Sequence, residues 1–195
     1  MNSSDHHLPG RLARFVAKLN ALLETEPDEN TLISQGTALL TELIATEDWL
    51  PPHCTCAGPD RVVHHLLYLH PDDLYSVVSC VWGPGQTTPI HDHTVWGLIG
   101  MVRGVEVTQR HGFDAQGLLQ PLGSPTHLQE GTVDAVSPRL GDIHQVWNGV
   151  ADSNSISIHV YGADIGKRNR HAYLEDGRVE RFVSGYVSLP EVNNQ

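Results

Sequence analysis

The chain is short of cysteine, of basic residues and of long apolar runs, and each shortage excludes something. Three cysteines, Cys54, Cys56 and Cys80, stand among 195 residues. A small odd count, with no apolar N-terminal leader, argues against a secreted disulfide framework. No apolar run reaches the roughly 20 residues that a membrane-spanning helix needs. Lysine and arginine number 12 against 23 aspartate and glutamate, a formal net charge of -11. Nucleic acids and anionic membranes repel such a surface, so neither is expected as a partner. The basic stretches at 167–170 and 178–181 are short and interrupted. The expectation is a cytoplasmic protein acting on a small molecule, with no evident protein partner.

Glycine (18), proline (12) and histidine (13) are well supplied. Glycine and proline spread along the chain imply many turns and a β-rich fold, and the length suits a single domain spanning 1–195. Residues 11–24 carry Leu12, Phe15, Val16, Leu19, Leu22 and Leu23 at helical spacing, and Pro27 ends that pattern. A second helix is expected over about 30–48, with Leu32, Leu39, Leu40, Leu43 and Ile44 as its apolar face and Pro51-Pro52 as its stop. These two form a helical lead-in over 11–48. From about residue 61 the runs become short and β-like: RVVHHLLYL, LYSVVSCVW, VWGLIGMVRG, VEVTQRHGF, IHQVWN and SISIHVYG, with weaker ones near 118–122 and 131–137. Many short strands with glycine-rich connections suggest a sandwich or barrel, read here as a small β-barrel on which the helical lead-in packs. Residues 184–195 read as a loose polar tail, and His6 and His7 as solvent-facing.

The densest chemical signal lies between Gly85 and Gly104. His91 and His93 are separated by one residue, and on a strand residues i and i+2 share a face. Two imidazoles can therefore hold one metal ion, with Asp92 turned away. The run Pro138-Arg139-Leu140-Gly141, followed by His144 and Asn148, offers a third ligand. Three histidines would leave open positions for substrate on the ion.

These two stretches match the two motifs of the cupin superfamily, a resemblance that implies a small jelly-roll-like β-barrel over 60–175. Gly85, His91, His93 and Gly104 fit the first, with Gly97 where that superfamily usually has a glutamate ligand. Gly141, His144 and Asn148 fit the second, with one extra residue after Pro138. PIHDHTVWGLIGMVRG further resembles the bacterial cysteine dioxygenase family, close to the 3-mercaptopropionate dioxygenases. That resemblance implies a mononuclear non-haem Fe(II) held by His91, His93 and His144, with O2 as co-substrate. It also implies conversion of a small thiol carboxylate to its sulfinate. The family's Ser-x-His-x-Tyr set is matched by Ser157, His159 and Tyr161, a hydrogen-bond relay with Tyr161 innermost as the catalytic phenol.

For the substrate carboxylate the resemblance points to two positions. His64 stands where cysteine dioxygenases have an arginine and their relatives a glutamine, so it is a candidate for substrate binding or for a fourth metal ligand. His65 would face the other way. Arg170 matches the arginine that the 3-mercaptopropionate enzymes use, with Arg168 as competitor. No thioether crosslink to the tyrosine is expected, and Cys80 reads as a buried, apolar-like residue. Cys54, Cys56 and His53 read as incidental to metal binding. Trp82, Trp96 and Trp147 are expected to wall the cavity and the core, and His70, His111, His127 and His171 to be superficial or structural. The alternatives are a cupin with Zn(II), Mn(II) or Ni(II) and other chemistry, or a non-catalytic ligand-binding cupin.

Overall fold

The computed structural model describes residues 8–187. His6, His7 and residues 188–195 lie outside that range. Two helices come first, α1 (Gly10–Leu23) and α2 (Glu29–Ile44), then a short 3-10 turn at Pro52–Thr55. Twelve strands follow among the described residues. They are β1 (Val63–Leu69), β2 (Ser76–Trp82), β3 (Ile90–His91), β4 (Gly97–Arg103), β5 (Val105–Phe113) and β6 (Leu119–Pro121). The others are β7 (Thr126–Gln129), β8 (Val133–Val136), β9 (His144–Asn148), β10 (Ser155–Tyr161), β11 (Arg170–Tyr173) and β12 (Val179–Phe182).

Each helix forms for a local reason. In α1 the apolar residues Leu12, Phe15, Val16, Leu19 and Leu22 recur on one face, and all are buried. In α2 the carboxylate of Asp28 accepts the N–H of Thr31 at 2.8 Å, capping the first turn. Its buried face runs through Leu32, Gly36, Leu40, Leu43 and Ile44. The helix stops at Ile44, four residues before the expected end, because Trp49 turns back into the core and donates from its indole to the Thr46 carbonyl at 2.8 Å. Gly36 lets the helix lie close to β4: a Cβ there would come within 2.7 Å of Leu98 Cδ1, and that side chain would have to shift.

The strands form two antiparallel sheets. One has the order β1-β2-β10-β4-β8, and the other β12-β11-β3-β9-β5-β6, with β7 also paired to β5. The result is jelly-roll-like. It is not the closed barrel expected, because the sheets join through side chains and share no ladder.

Every residue of β2 and β10 is buried. Alternation explains this, since each strand has two covered faces. Val77, Val81, Ile156, Ile158 and Val160 pack with the helices. Val78, Cys80, Trp82 and Tyr161 face the other sheet and pack with Val146 and Ile165. The polar residues of β10 therefore share the face that looks between the sheets. No described helix is long and apolar enough to cross a membrane.

The C-terminal segment corrects the expectation of a loose tail, as far as residue 187. Gly185 N donates to Gly166 O at 3.1 Å, and Val187 N to His64 O at 2.9 Å. Tyr186 Oη donates to Asp164 at 2.6 Å and accepts from Gly166 N at 2.9 Å.

Candidate metal centre

His91, His93 and His144 converge, and the ligand atoms they offer all lie within 4.8 Å of one another. Their ring centroids are 4.8 to 5.0 Å apart. Strand register does part of this work, since His91 of β3 pairs directly with His144 of β9. His93 departs from expectation, because β3 ends at His91. What fixes His93 is Asp142. One carboxylate oxygen accepts from His93 N (3.1 Å) and Thr94 N (2.7 Å), and the other contacts His93 Nδ1 at 3.0 Å. The turn holds Thr94 at φ 62°, the left-handed region that a branched residue rarely adopts. Asp92 does turn away: its carboxylate accepts from His171 N and Tyr173 Oη and contacts His171 Nδ1 at 2.8 Å.

The donor set suits a metal ion. His91 Nδ1 faces the Pro89 carbonyl at 3.0 Å and His93 Nδ1 faces Asp142, which assigns the protons there and leaves each Nε2 bare. His144 Nδ1 is buried with no hydrogen-bond partner. Burial holds all three rings neutral. It acts with Arg170 on His91, whose pKa falls to about 4, and with the neighbouring imidazoles on His93 and His144, both well below the ordinary value. His64 is not in the converging group.

The three rings open onto a cavity of about 500 Å³ between the sheets. His64 lines it, while His65 is buried on the other face of β1 and contacts the Cys56 carbonyl at 3.1 Å. Arg170 also lines it. Arg170 is 3 % exposed, stacks over Phe182 at 4.6 Å and leaves its Nε without a partner. Arg168 is exposed and donates to Thr94 Oγ1 at 2.9 Å. Of Trp82, Trp96 and Trp147, Trp82 alone lines the cavity. Trp96 instead packs on the helix side against Gly162, and Trp147 is half-buried on β9. Phe182 and Tyr186 form a wall that no sequence motif announced.

Ser157, His159 and Tyr161 lie in one line. Ser157 Oγ is 2.8 Å from His159 Nε2, and His159 Nδ1 is 2.7 Å from Tyr161 Oη. The Tyr161 ring stacks on His93, with centroids 5.4 Å apart and planes 20° apart. Burial raises the pKa of this phenol even though His159 works the other way, so it keeps its proton at neutral pH. Tyr161 can lie there because its neighbour in β4 is Gly97. A Cβ at Gly97 would sit 3.0 Å from both Tyr161 Cδ1 and Val136 Cγ2. Cys80 is buried as expected but is not apolar in its setting. It lines the cavity, and although burial would raise its thiol pKa, His159 and His64 draw it down to about 6.

Sequence reasoning missed Asp142, the Asp92–His171 pair and Glu106. Only the run Pro138–His144 carried a hint, because it brought an acidic residue to the second position before a ligand. Cys54 is buried, Cys56 is exposed, and neither joins a metal-binding group among the described residues.

Fold and site together define a jelly-roll-like protein with a buried three-histidine group able to hold a metal ion. No family model matches the chain. Among solved structures, an uncharacterized conserved protein with a double-stranded β-helix domain from Klebsiella pneumoniae is similar at 15% identity. That likeness covers 66% of this chain and 90% of that one, with a TM-score of 0.46. A cupin-like protein from Thermotoga maritima shows 18% identity over 65% of this chain and 79% of its own, with a TM-score of 0.43. An oxalate oxidase in complex with the substrate analogue glycolate shows 16% identity over 55% of this chain and 53% of its own, also at 0.43.

Proposed function

We propose that this chain is a cupin-type, iron-dependent thiol dioxygenase that converts a small thiol carboxylate to its sulfinate with both atoms of O2. The observation that carries the reading is the meeting, in one cavity, of three neutral imidazoles, a buried arginine and the tyrosine relay. Neutral ligands leave the charge of a divalent ion uncompensated, and Arg170 adds another positive charge. A thiolate carrying a carboxylate supplies two negative charges and answers both.

His91, His93 and His144 would hold the ion, which when bound supplies the position where thiolate and O2 meet. Arg170 binds the carboxylate, since its unpartnered Nε and fork of N–H groups match two carboxylate oxygens. His64 closes the same wall and supplies a second polar contact. Tyr161 orients the bound reactants through its hydroxyl, and His159 and Ser157 fix that phenol. Trp82, Phe182 and Tyr186 limit water in the cavity.

The test is oxygen uptake by anaerobically Fe(II)-loaded protein with cysteine, 3-mercaptopropionate and mercaptosuccinate in parallel. One thiol should drive stoichiometric uptake and yield its sulfinate. Turnover of any substrate without oxygen consumption, or better with Zn(II), Mn(II) or Ni(II), would move the chain to another cupin chemistry. Tight binding without turnover would make it a ligand-binding cupin.

A further inference from the structure

The relay does not end at Ser157. Glu106 of β5 is fully buried at 0 % exposure. Its Oε2 accepts the Ser157 hydroxyl at 2.8 Å and lies 3.6 Å from His159 Nε2, while Oε1 has no partner. Among the described residues no lysine or arginine pairs with this carboxylate, and His159 is the cationic group within reach. A buried carboxylate without a counter-charge is costly, so the placement calls for one.

The proton count gives the relay a direction. A serine hydroxyl has one proton and two lone pairs. Trp82 Nε1 can only donate, and it reaches Ser157 Oγ at 3.1 Å. Ser157 donates its one hydroxyl hydrogen to Glu106 Oε2 at 2.8 Å. The remaining Ser157 lone pair faces His159 Nε2 at 2.8 Å, and that contact is a hydrogen bond only when Nε2 carries a proton. Two states then remain at Nδ1, 2.7 Å from the phenol. A neutral ring accepts a hydrogen bond from the Tyr161 hydroxyl, and the cavity meets only oxygen lone pairs. An imidazolium donates to the phenol oxygen, and the hydroxyl proton is free to face the cavity.

We propose that Glu106 is the buried end of this relay, a positioning residue whose carboxylate keeps His159 doubly protonated and so makes Tyr161 a hydrogen-bond donor towards the metal-side cavity. The consequence for catalysis rests on the function proposed above, but the charge pair does not. Burial works against a charged His159, yet Cys80 from β2, Tyr161 from its own strand and Glu106 from β5 outweigh it and lift its pKa well above the ordinary value. Glu106 and Cys80 are thus the two candidate counter-anions, and geometry favours the carboxylate because it shares Ser157 with the ring.

The test uses the full-length, metal-free, 15N-labelled protein. Long-range 15N–1H NMR at pH 7 reads each imidazole's protonation, with His159 assigned by its loss in His159→Asn. Wild type should show both His159 nitrogens protonated, and Glu106→Gln should show one of them bare. Cys80→Ser should leave the imidazolium in place. A neutral His159 in wild type overturns the proposal with no variant needed, so a poorly folded Glu106→Gln does not shelter it. An imidazolium that survives Glu106→Gln, or that disappears in Cys80→Ser alone, also overturns it. In the iron-loaded protein Glu106→Gln should lower kcat about 100-fold, the scale of a positioned proton donor, with KM within about twofold. Absence of any thiol oxidation by wild type would refute the proposed function and leave the NMR result standing. Thiol oxidation with a neutral His159 would refute this inference alone.

Discussion

Replacing Asp142 by asparagine should weaken metal binding without touching a ligand. In the native site one oxygen of Asp142 accepts two backbone N–H groups, and the other faces His93 Nδ1. An asparagine has only one accepting oxygen. If that oxygen serves the backbone, its amide nitrogen faces Nδ1, which must then lose its proton to Nε2, the atom that should meet the metal. If the oxygen serves Nδ1, an N–H group faces two N–H groups and the Thr94 turn opens. Both arrangements harm the ligand. Removing such an outer partner typically costs 10–100-fold in metal affinity, about 1.4–2.8 kcal/mol. Anaerobic competition against a coloured chelator measures the affinity, with circular dichroism to show that the fold persists. A folded Asp142→Asn protein whose affinity stays within about twofold of wild type would refute the role given to this carboxylate.

Three further outcomes are expected. The metal-free protein should lose stability in acid. His91 is pushed from 6.5 to about 4 in the fold, so the unfolded chain takes up its proton first and stability rises with pH. The contribution is complete above about 6.5 and drains away as pH falls through about 4, with about 2 kcal/mol lost from His91 alone by pH 5. Urea midpoints at pH 7.5 and pH 5 measure this, and equal midpoints would contradict it. Gly97→Ala, whose Cβ would press on Tyr161 and Val136 at 3.0 Å, should cost about 1–3 kcal/mol in denaturant unfolding and lower kcat by displacing the phenol. Arg170→Lys should raise KM for the thiol carboxylate about tenfold by losing the two-pronged contact, about 1.4 kcal/mol. Arg168→Ala, altering an exposed side chain, should leave KM within about twofold.

The legible parts of this molecule were those encoded by local spacing. The glycine-flanked His91 and His93, then His144 with Asn148, sit within short windows, and their residue types announce their chemistry. Asn148 proves to be a clamp, donating to the carbonyls of Trp82, Gly83 and Ser153. Both helices were visible from periodicity, and β10 from its alternation of Ser157, His159 and Tyr161 with apolar residues. Hidden features depended on partners far along the chain. Asp142 acts on His93 across 49 residues and Glu106 on Ser157 across 51. In sequence, Glu106 is one polar residue in a strand. β11 and β12 are four-residue runs of mixed polarity, RHAY and VERF, which become strands by pairing with each other. Gly97 was noted as a missing ligand, and only the structure shows the Tyr161 ring in the space it leaves.

The central claim is that the three-histidine centre delivers both atoms of O2 to a thiol sulfur. The most direct measurement is mass spectrometry of the product formed under 18O2 by iron-loaded wild type and by His144→Ala. A sulfinate with both oxygens labelled, formed by wild type and lost in His144→Ala, is the result predicted. A product with one labelled oxygen or none, or labelling that persists in His144→Ala, would contradict the account.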